Sequence, residues 1–245
     1  MIFKYRKFGE YTDKIILNSE LYFASHNSFN DPFDCNLEFR EIEDYLDVDF
    51  TNHCKSLGKT KEAILSGATE EEYKKWLKQE LIIKKAEVGI LSMSETKENI
   101  LMWSHYSDYH KGLCFGFDKS FFDGLKINIS NVTYLEDDKY ELISFLNSSP
   151  DEIERMFTTK SKFWEYEKEI RLLDLNVKKA IGAKKFNKEC LKEIIFGCKA
   201  DEINIKKIIQ LCQLNGFEHV VFKKVRIVSG KFELDFDEID KSVYL

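Results

Sequence analysis

The sequence predicts an α+β fold: one domain over residues 1–245, a mixed, mostly antiparallel sheet as its core, and a helical insertion at residues 38–87. Three observations lead there. Short apolar or alternating runs of strand length recur from Ile2 to Val228, without the regular strand–helix alternation of a parallel sheet. Helical patterns gather in residues 38–87 and again near the end. The 20 Phe and 11 Tyr are generous and suit packed sheet layers.

In chain order, Ile2 to Phe8 alternates apolar and basic residues, as a half-buried strand does, and Gly9 breaks it. Tyr11 to Glu20 predicts a short helix and Leu21 to Ala24 a second strand. Ser25 to Asp34 is dense in turn formers and contains Pro32, so it predicts an ordered loop. In the insertion, Ile42, Tyr45 and Leu46 share one helical face and Trp76, Leu77 and Leu81 another, with Ser56 to Thr69 as a small, polar connection. Val88 to Ser94 predicts a buried strand, Ile100 to Tyr106 a short helix, and Leu113 to Phe117 and Ile127 to Tyr134 further strands. Ser149 and Pro150, followed by Asp151 and Glu152, start a helix expected to run to Phe163. Leu191 to Phe196 reads as a strand or a helix end, Ile203 to Leu214 as a helix stopped at Asn215-Gly216, and His219 to Val228 as a strand. The acidic tail from Gly230 suits an edge strand.

The totals restrict function. A formal net charge of −6 lacks the basic surplus usual in chains that grip duplex nucleic acid. The 6 Cys include no CxxC and no zinc-finger spacing, so they read as reduced thiols of a cytoplasmic protein. Neither a signal peptide nor an apolar stretch long enough to span a membrane is expected. Phosphate-loop, dinucleotide-loop, GxSxG and HExxH signatures are absent.

The stretch Trp164 to Leu173 carries the most unusual chemistry. As a strand, it would place Glu165, Glu167, Glu169 and Arg171 on one face. Such a row repels itself unless a cation, a ligand or Arg171 offsets it. Trp164 and Ile170 would face the core, with Arg171 pairing with the glutamates or with Asp31. Other polar groups lie in apolar surroundings: Tyr5 and Arg6, Ser25 with Asn30 and Asp31, Trp103 with His105 and Tyr106, and His110. Each alone has a structural explanation, Asn30 and Asp31 as partners of their own loop backbone, Trp103 and Tyr106 as core. Their density argues for a pocket.

Five stretches, FKYRKF, LYFASHNSFNDPFD, ILSMSE, LMWSHYSDYHKGLCFGFD and KSKFWEYEKEIRLL, resemble the bacterial family catalogued as domain of unknown function 2971. They span residue 3 to about residue 173. Where that family usually has Glu after NDPF, this chain has Asp34. The resemblance implies a phage-defence or toxin-like role, with a cognate antitoxin or regulator as partner.

A second resemblance, in arrangement, is to ADP-ribosyltransferases. These place Arg or His on the first strand, then a helix, then a strand bearing Ser, Thr or Tyr, and a catalytic Glu, often within ExE, on a late strand. Arg6, Ser25 and Glu167-Lys168-Glu169 follow that order. The likeness implies NAD as cofactor, a small-molecule nucleotide held in the pocket, and a nucleic-acid or protein acceptor. Arg6 would bind the ribose or diphosphate oxygens, with Tyr22 or Trp103 stacking on nicotinamide. Glu169 would hold the ribose hydroxyl and stabilise developing positive charge, and Glu167 would orient or deprotonate the nucleophile. Ser25, Asn30, Asp31, His105, Tyr106 and Arg171 would complete the cofactor site, without a metal.

Two alternatives use the same residues. A metal-dependent nuclease or phosphodiesterase would take Asp31, Asp34, Glu167 and Glu169 as oxygen ligands, with His105 or His110 as base. A non-enzymatic module of a defence system would bind a ligand in the pocket without turnover.

Overall fold

The computed structural model describes residues 1–122, 127–136, 139–176 and 179–244. The strands are β1 (Ile2–Arg6), β2 (Glu20–Phe23), β3 (Gly89–Ser94), β4 (Leu113–Phe117), β5 (Asn128–Asn131), β6 (Thr133–Leu135), β7 (Thr159–Ser161), β8 (Glu169–Asp174), β9 (Gly182–Lys185), β10 (Leu191–Phe196), β11 (Val221–Ile227) and β12 (Leu234–Glu238). The helices are α1 (Glu10–Leu17), α2 (Asp47–Ser56), α3 (Lys61–Leu65), α4 (Glu70–Ala86), α5 (Ile100–Tyr106), α6 (Pro150–Thr158) and α7 (Glu202–Leu214). Among the described residues, an eight-stranded sheet runs in the order β12-β11-β10-β4-β1-β3-β8-β5. Its neighbours are antiparallel except β10 and β11, which are parallel and joined by α7. This is the expected α+β class with a mixed, mostly antiparallel sheet. The pairs β2–β9 and β6–β7 lie outside it.

The apolar patterns bury where their periods direct them. Ile15 and Ile16 of α1 and Ile205, Ile208 and Ile209 of α7 pack with Ile2, Phe115 and Ile194 of the sheet. Trp103 and Met102 of α5 pack with Phe3, Tyr5 and Ile195. The helices of residues 38–87 build a third cluster, in which Tyr45, Phe50 and Cys54 meet Phe145, Phe157 and Leu173. Local chemistry sets several helix starts. Asn99 accepts from the backbone of Leu101 and Met102, and Ser149 with Glu152 forms a capping box before Pro150.

Several expectations are corrected. The helix begun at Pro150 ends at Thr158, after which the β-branched Thr159 enters β7. Lys162–Glu167 is a 3₁₀ turn, started by Ser161 and ended by Lys168 in the left-handed region (φ 43°). Only from Glu169 onward is the Trp164–Leu173 stretch a strand. Glu165 is therefore exposed rather than part of a row, and Trp164 is half-buried at the surface rather than in the core. The Ser56–Thr69 connection contains α3, which Thr60 caps. Ile127 to Tyr134 divides into β5 and β6, with different partners. Leu191 to Phe196 is a strand, and the tail supplies the edge strand β12.

Candidate functional site

The site exists because two neighbouring strands separate. β1 pairs with β4 along its whole length, from Ile2↔Phe117 to Arg6↔Leu113. On its other side it meets β3, among the described residues, at Phe3↔Ser94. Beyond that pair, the end of β2 takes over the edge of β3: Ala24 and Ile90 exchange backbone hydrogen bonds of 2.8 Å. The half-buried Ser92 carbonyl accepts from Lys4 Nζ at 2.6 Å. A side chain thus replaces the ladder bond that separation removes.

Two chambers occupy this gap. The first, about 360 Å³, is lined by Lys4, Arg6, Asn30, Asp34, Lys160, Glu167 and Glu169, among others. The second, about 640 Å³, runs along β2 past Tyr22, Tyr11, Lys14 and Glu20. Lys4, Arg6, Ser28, Phe29 and Ser92 belong to the linings of both, so the chambers share a wall carrying two cations.

Behind the first chamber is a buried ionic cluster. Arg171, fully buried, grips Glu169 with two hydrogen bonds, Nε to Oε1 at 2.8 Å and Nη2 to Oε2 at 3.0 Å. Its Nη2 also donates to Asp34 Oδ2 at 2.7 Å, and its Nη1 to the Phe157 carbonyl at 2.7 Å and Cys35 Sγ at 3.0 Å. Phe29 lies over the guanidinium at 5.6 Å. Lys160 Nζ bridges Glu167 at 2.5 Å, Glu169 at 3.1 Å and Asp34 at 3.5 Å, and sits 4.8 Å from the Trp164 ring centre. Tyr106 Oη donates to the other oxygen of Glu167 at 2.5 Å. Ser94 Oγ donates to the Glu167 carbonyl, and Tyr134 Oη accepts from the Glu169 amide, fixing both glutamates against the sheet.

The two glutamates titrate in opposite directions. Burial pushes Glu169 up, but Arg171 and Lys160 overcome it and hold the carboxyl at about 2. At Glu167 burial prevails over Lys160 and Tyr106, and the pKa rises. Burial works against the Lys160 charge, yet the surrounding carboxylates leave its pKa above the ordinary value. Burial, then Arg6, lowers Lys4 to about 8. Two neighbouring carboxyls are thus tuned in opposite directions by their surroundings.

Of the residues singled out in the sequence, Arg6, Asn30, Tyr106, Glu167 and Glu169 line the first chamber. Arg171 stands behind them, pairing with Asp34 and Glu169 rather than with Asp31. Tyr22 lines the second chamber, apart from the glutamates, so it is not placed beside Glu169. Trp103 is wholly buried, packed edge-on against Tyr5 at 5.2 Å and donating to the Lys97 carbonyl, so stacking on a ligand is closed to it. Ser25 Oγ donates to the Ala86 carbonyl and caps its own loop. Asp31 accepts from the Phe33 amide, an Asx turn. His105 is exposed, bonded to Tyr166 Oη at 3.0 Å, in a neighbouring groove that shares Asn30 and Tyr106 with the first chamber. His110 closes a tight left-handed turn.

Sequence reasoning did not single out Lys4 and Lys160, and weighed Asp34 only as a metal ligand. The signal for two of them was present, since Asp34 ends LYFASHNSFNDPFD and Lys160 begins KSKFWEYEKEIRLL. Lys4 lies in FKYRKF but is legible only once β1 and β3 part. Of the carboxylates proposed as metal ligands, Asp34, Glu167 and Glu169 are instead bridged by ammonium and guanidinium groups, and Asp31 is engaged by its own loop backbone. Among the described residues no three His, Cys, Asp or Glu are placed to hold a metal ion. No helix among them is long and apolar enough to cross a membrane.

No curated protein and no solved structure matches the chain. Residues 102–172, which carry Tyr106, Lys160, Glu167, Glu169 and Arg171, match the family described as "Protein of unknown function (DUF2971)", the family that the motifs of this chain resemble.

Proposed function

We propose that the chain is an ADP-ribosyltransferase-like enzyme that uses NAD, with the two-chamber cleft as its site. The observation that carries this reading is the convergence of Arg6, from the first strand, with Glu167 and Glu169 on one cavity that continues across a cationic wall into a second. Arg6 Nε is buried and without a hydrogen-bond partner, which suits an incoming anion. A dinucleotide would set its diphosphate against Arg6 and its distal base beside Tyr22 in the second chamber. NAD supplies a glycosidic bond whose nicotinamide is a good leaving group.

The chain's own groups divide the remaining work. Glu169, kept ionised by Arg171 and Lys160, offers a fixed negative charge where positive charge develops. Glu167, with its raised pKa, accepts the proton of the attacking nucleophile. Tyr106 and Lys160 hold that carboxylate in place. The family resemblance implies a toxin or phage-defence setting with a cognate regulator, and that setting is part of the same proposal.

The test is nicotinamide release from NAD by purified protein, with water, nucleic acid and cell extract as acceptors. Glu167→Gln keeps the shape and loses the base, so release falls roughly 10²- to 10⁴-fold. Equal behaviour of wild type and Glu167→Gln with every acceptor sinks the reading. Tight NAD binding without turnover in wild type makes the cleft a binding module instead.

A further inference from the structure

The wall between the chambers is made of two cations from one strand. Lys4 and Arg6, two residues apart on β1, point to the same face. Among the described residues neither forms an ion pair, although three carboxylates line the adjoining chamber. Lys4 uses one of its three donors, on the Ser92 carbonyl. The carboxylates nearby are already engaged by Lys160 and Arg171. Two half-buried cations side by side, with donors to spare and the acids occupied, form an incomplete charge arrangement.

We infer that Lys4 is, with Arg6, the anion seat of the cleft, holding a diphosphate between the two chambers. This rests on the nucleotide reading of the cleft, but not on any transfer chemistry. Lys4 faces Arg6 on its own strand, Cys114 from β4, Glu169 from β8, Glu167 from the preceding turn and the Ser92 carbonyl from β3. Lys14 and Glu20 lie across the second chamber; Asp34, Lys160 and Tyr106 lie across the first. Burial and the Arg6 charge lower Lys4 to about 8, with Glu169 and Glu167 acting in the opposite sense. A bound anion adds to that opposite sense and raises Lys4 again. The ammonium form binds, so affinity is full below pH 8 and declines as pH rises above it.

The probe is ADP-ribose, whose diphosphate keeps its charge over this range. It is titrated calorimetrically into the whole chain, in buffers of different ionisation enthalpy, at pH 6.5 and pH 8.5. Wild type takes up a fraction of a proton at pH 8.5 and close to none at pH 6.5, and its affinity falls by up to about tenfold per pH unit above 8. Lys4→Arg, always charged, binds at both pH values with no uptake and keeps its affinity at high pH. Lys4→Met binds roughly ten- to hundredfold more weakly at pH 6.5. Binding without uptake in wild type, with Lys4→Arg following the same pH profile, overturns the inference, and so does failure of ADP-ribose to bind. Proton-linked binding without nicotinamide release leaves the seat standing and removes the enzyme.

Discussion

The carboxylate–lysine cluster at Glu193 and the one in the cleft are built differently. At Glu193, on β10, one carboxylate accepts from Lys97 at 2.7 Å and Lys223 at 2.5 Å. Both lysines keep about a quarter of their side chains exposed, and Lys97 also lies over the rings of Phe3 and Phe236. In the cleft, Asp34, Glu167 and Glu169 share Lys160 and Arg171, and the cations are as buried as the acids. The first cluster needs nothing further, because its lysines reach in from water. The second holds its cations away from water and leaves Lys4 and Arg6 beside it unpaired. A buried ionic cluster thus becomes a candidate site through uncompensated charge at a cavity, and an acidic sequence is insufficient for that.

The largest test of this contrast removes one cation from the buried cluster. Arg171→Met leaves Asp34, Glu167 and Glu169 with Lys160 as their one remaining bridging cation and destabilises the fold by about 3–5 kcal/mol. Glu193→Gln leaves two lysines that can turn to solvent and costs about 1–2 kcal/mol. Denaturant unfolding of both variants measures the difference, and equal losses would erase the distinction between the clusters.

Acid provides the next test. Glu169 has a folded pKa of about 2, below its ordinary value, so its stabilisation is present above about pH 4.5 and is lost as pH falls through about 2. Glu193 is also lowered and acts with the same sign. Glu167 is raised and acts with the opposite sign, its contribution being present at low pH and lost as pH rises through the folded value. Thermal midpoints measured from pH 6 to pH 2 should therefore fall less steeply in Glu169→Gln than in wild type. Parallel curves would show that the Arg171 pairing does not control that carboxyl.

Tyr106→Phe should have the smallest effect on folding, about 0.5–1.5 kcal/mol. It removes a donor that favours the Glu167 carboxylate, so the acid limb of nicotinamide release moves to higher pH. An unmoved pH profile would reduce Tyr106 to a packing residue.

The cleft is half legible in the sequence. Arg6, Tyr106, Glu167 and Glu169 stood out because polar groups in apolar runs are costly without a task or a partner. Glu165 and Trp164 depart from the faces that strand periodicity predicts because Trp164 to Leu173 is not one strand. Ser161 and the left-handed Lys168 instead make a turn there, and period-two arithmetic cannot detect such a turn. Trp103 was misplaced because an aromatic residue beside polar ones suits a core and a pocket equally.

Sequence alone determined the α+β class, most element positions, the loop chemistry of Ser25 to Asp34 and the family resemblance. These follow from periodicity, capping and turn residues, which act over a few positions. Tertiary structure alone decided which charges meet. It brought Asp34, Lys160 and Arg171 together across the fold, and it parted β1 from β3 so that Lys4 and Arg6 face a cavity. Pairing between distant segments is set by strand order and register, and neither is written in any local stretch of the chain.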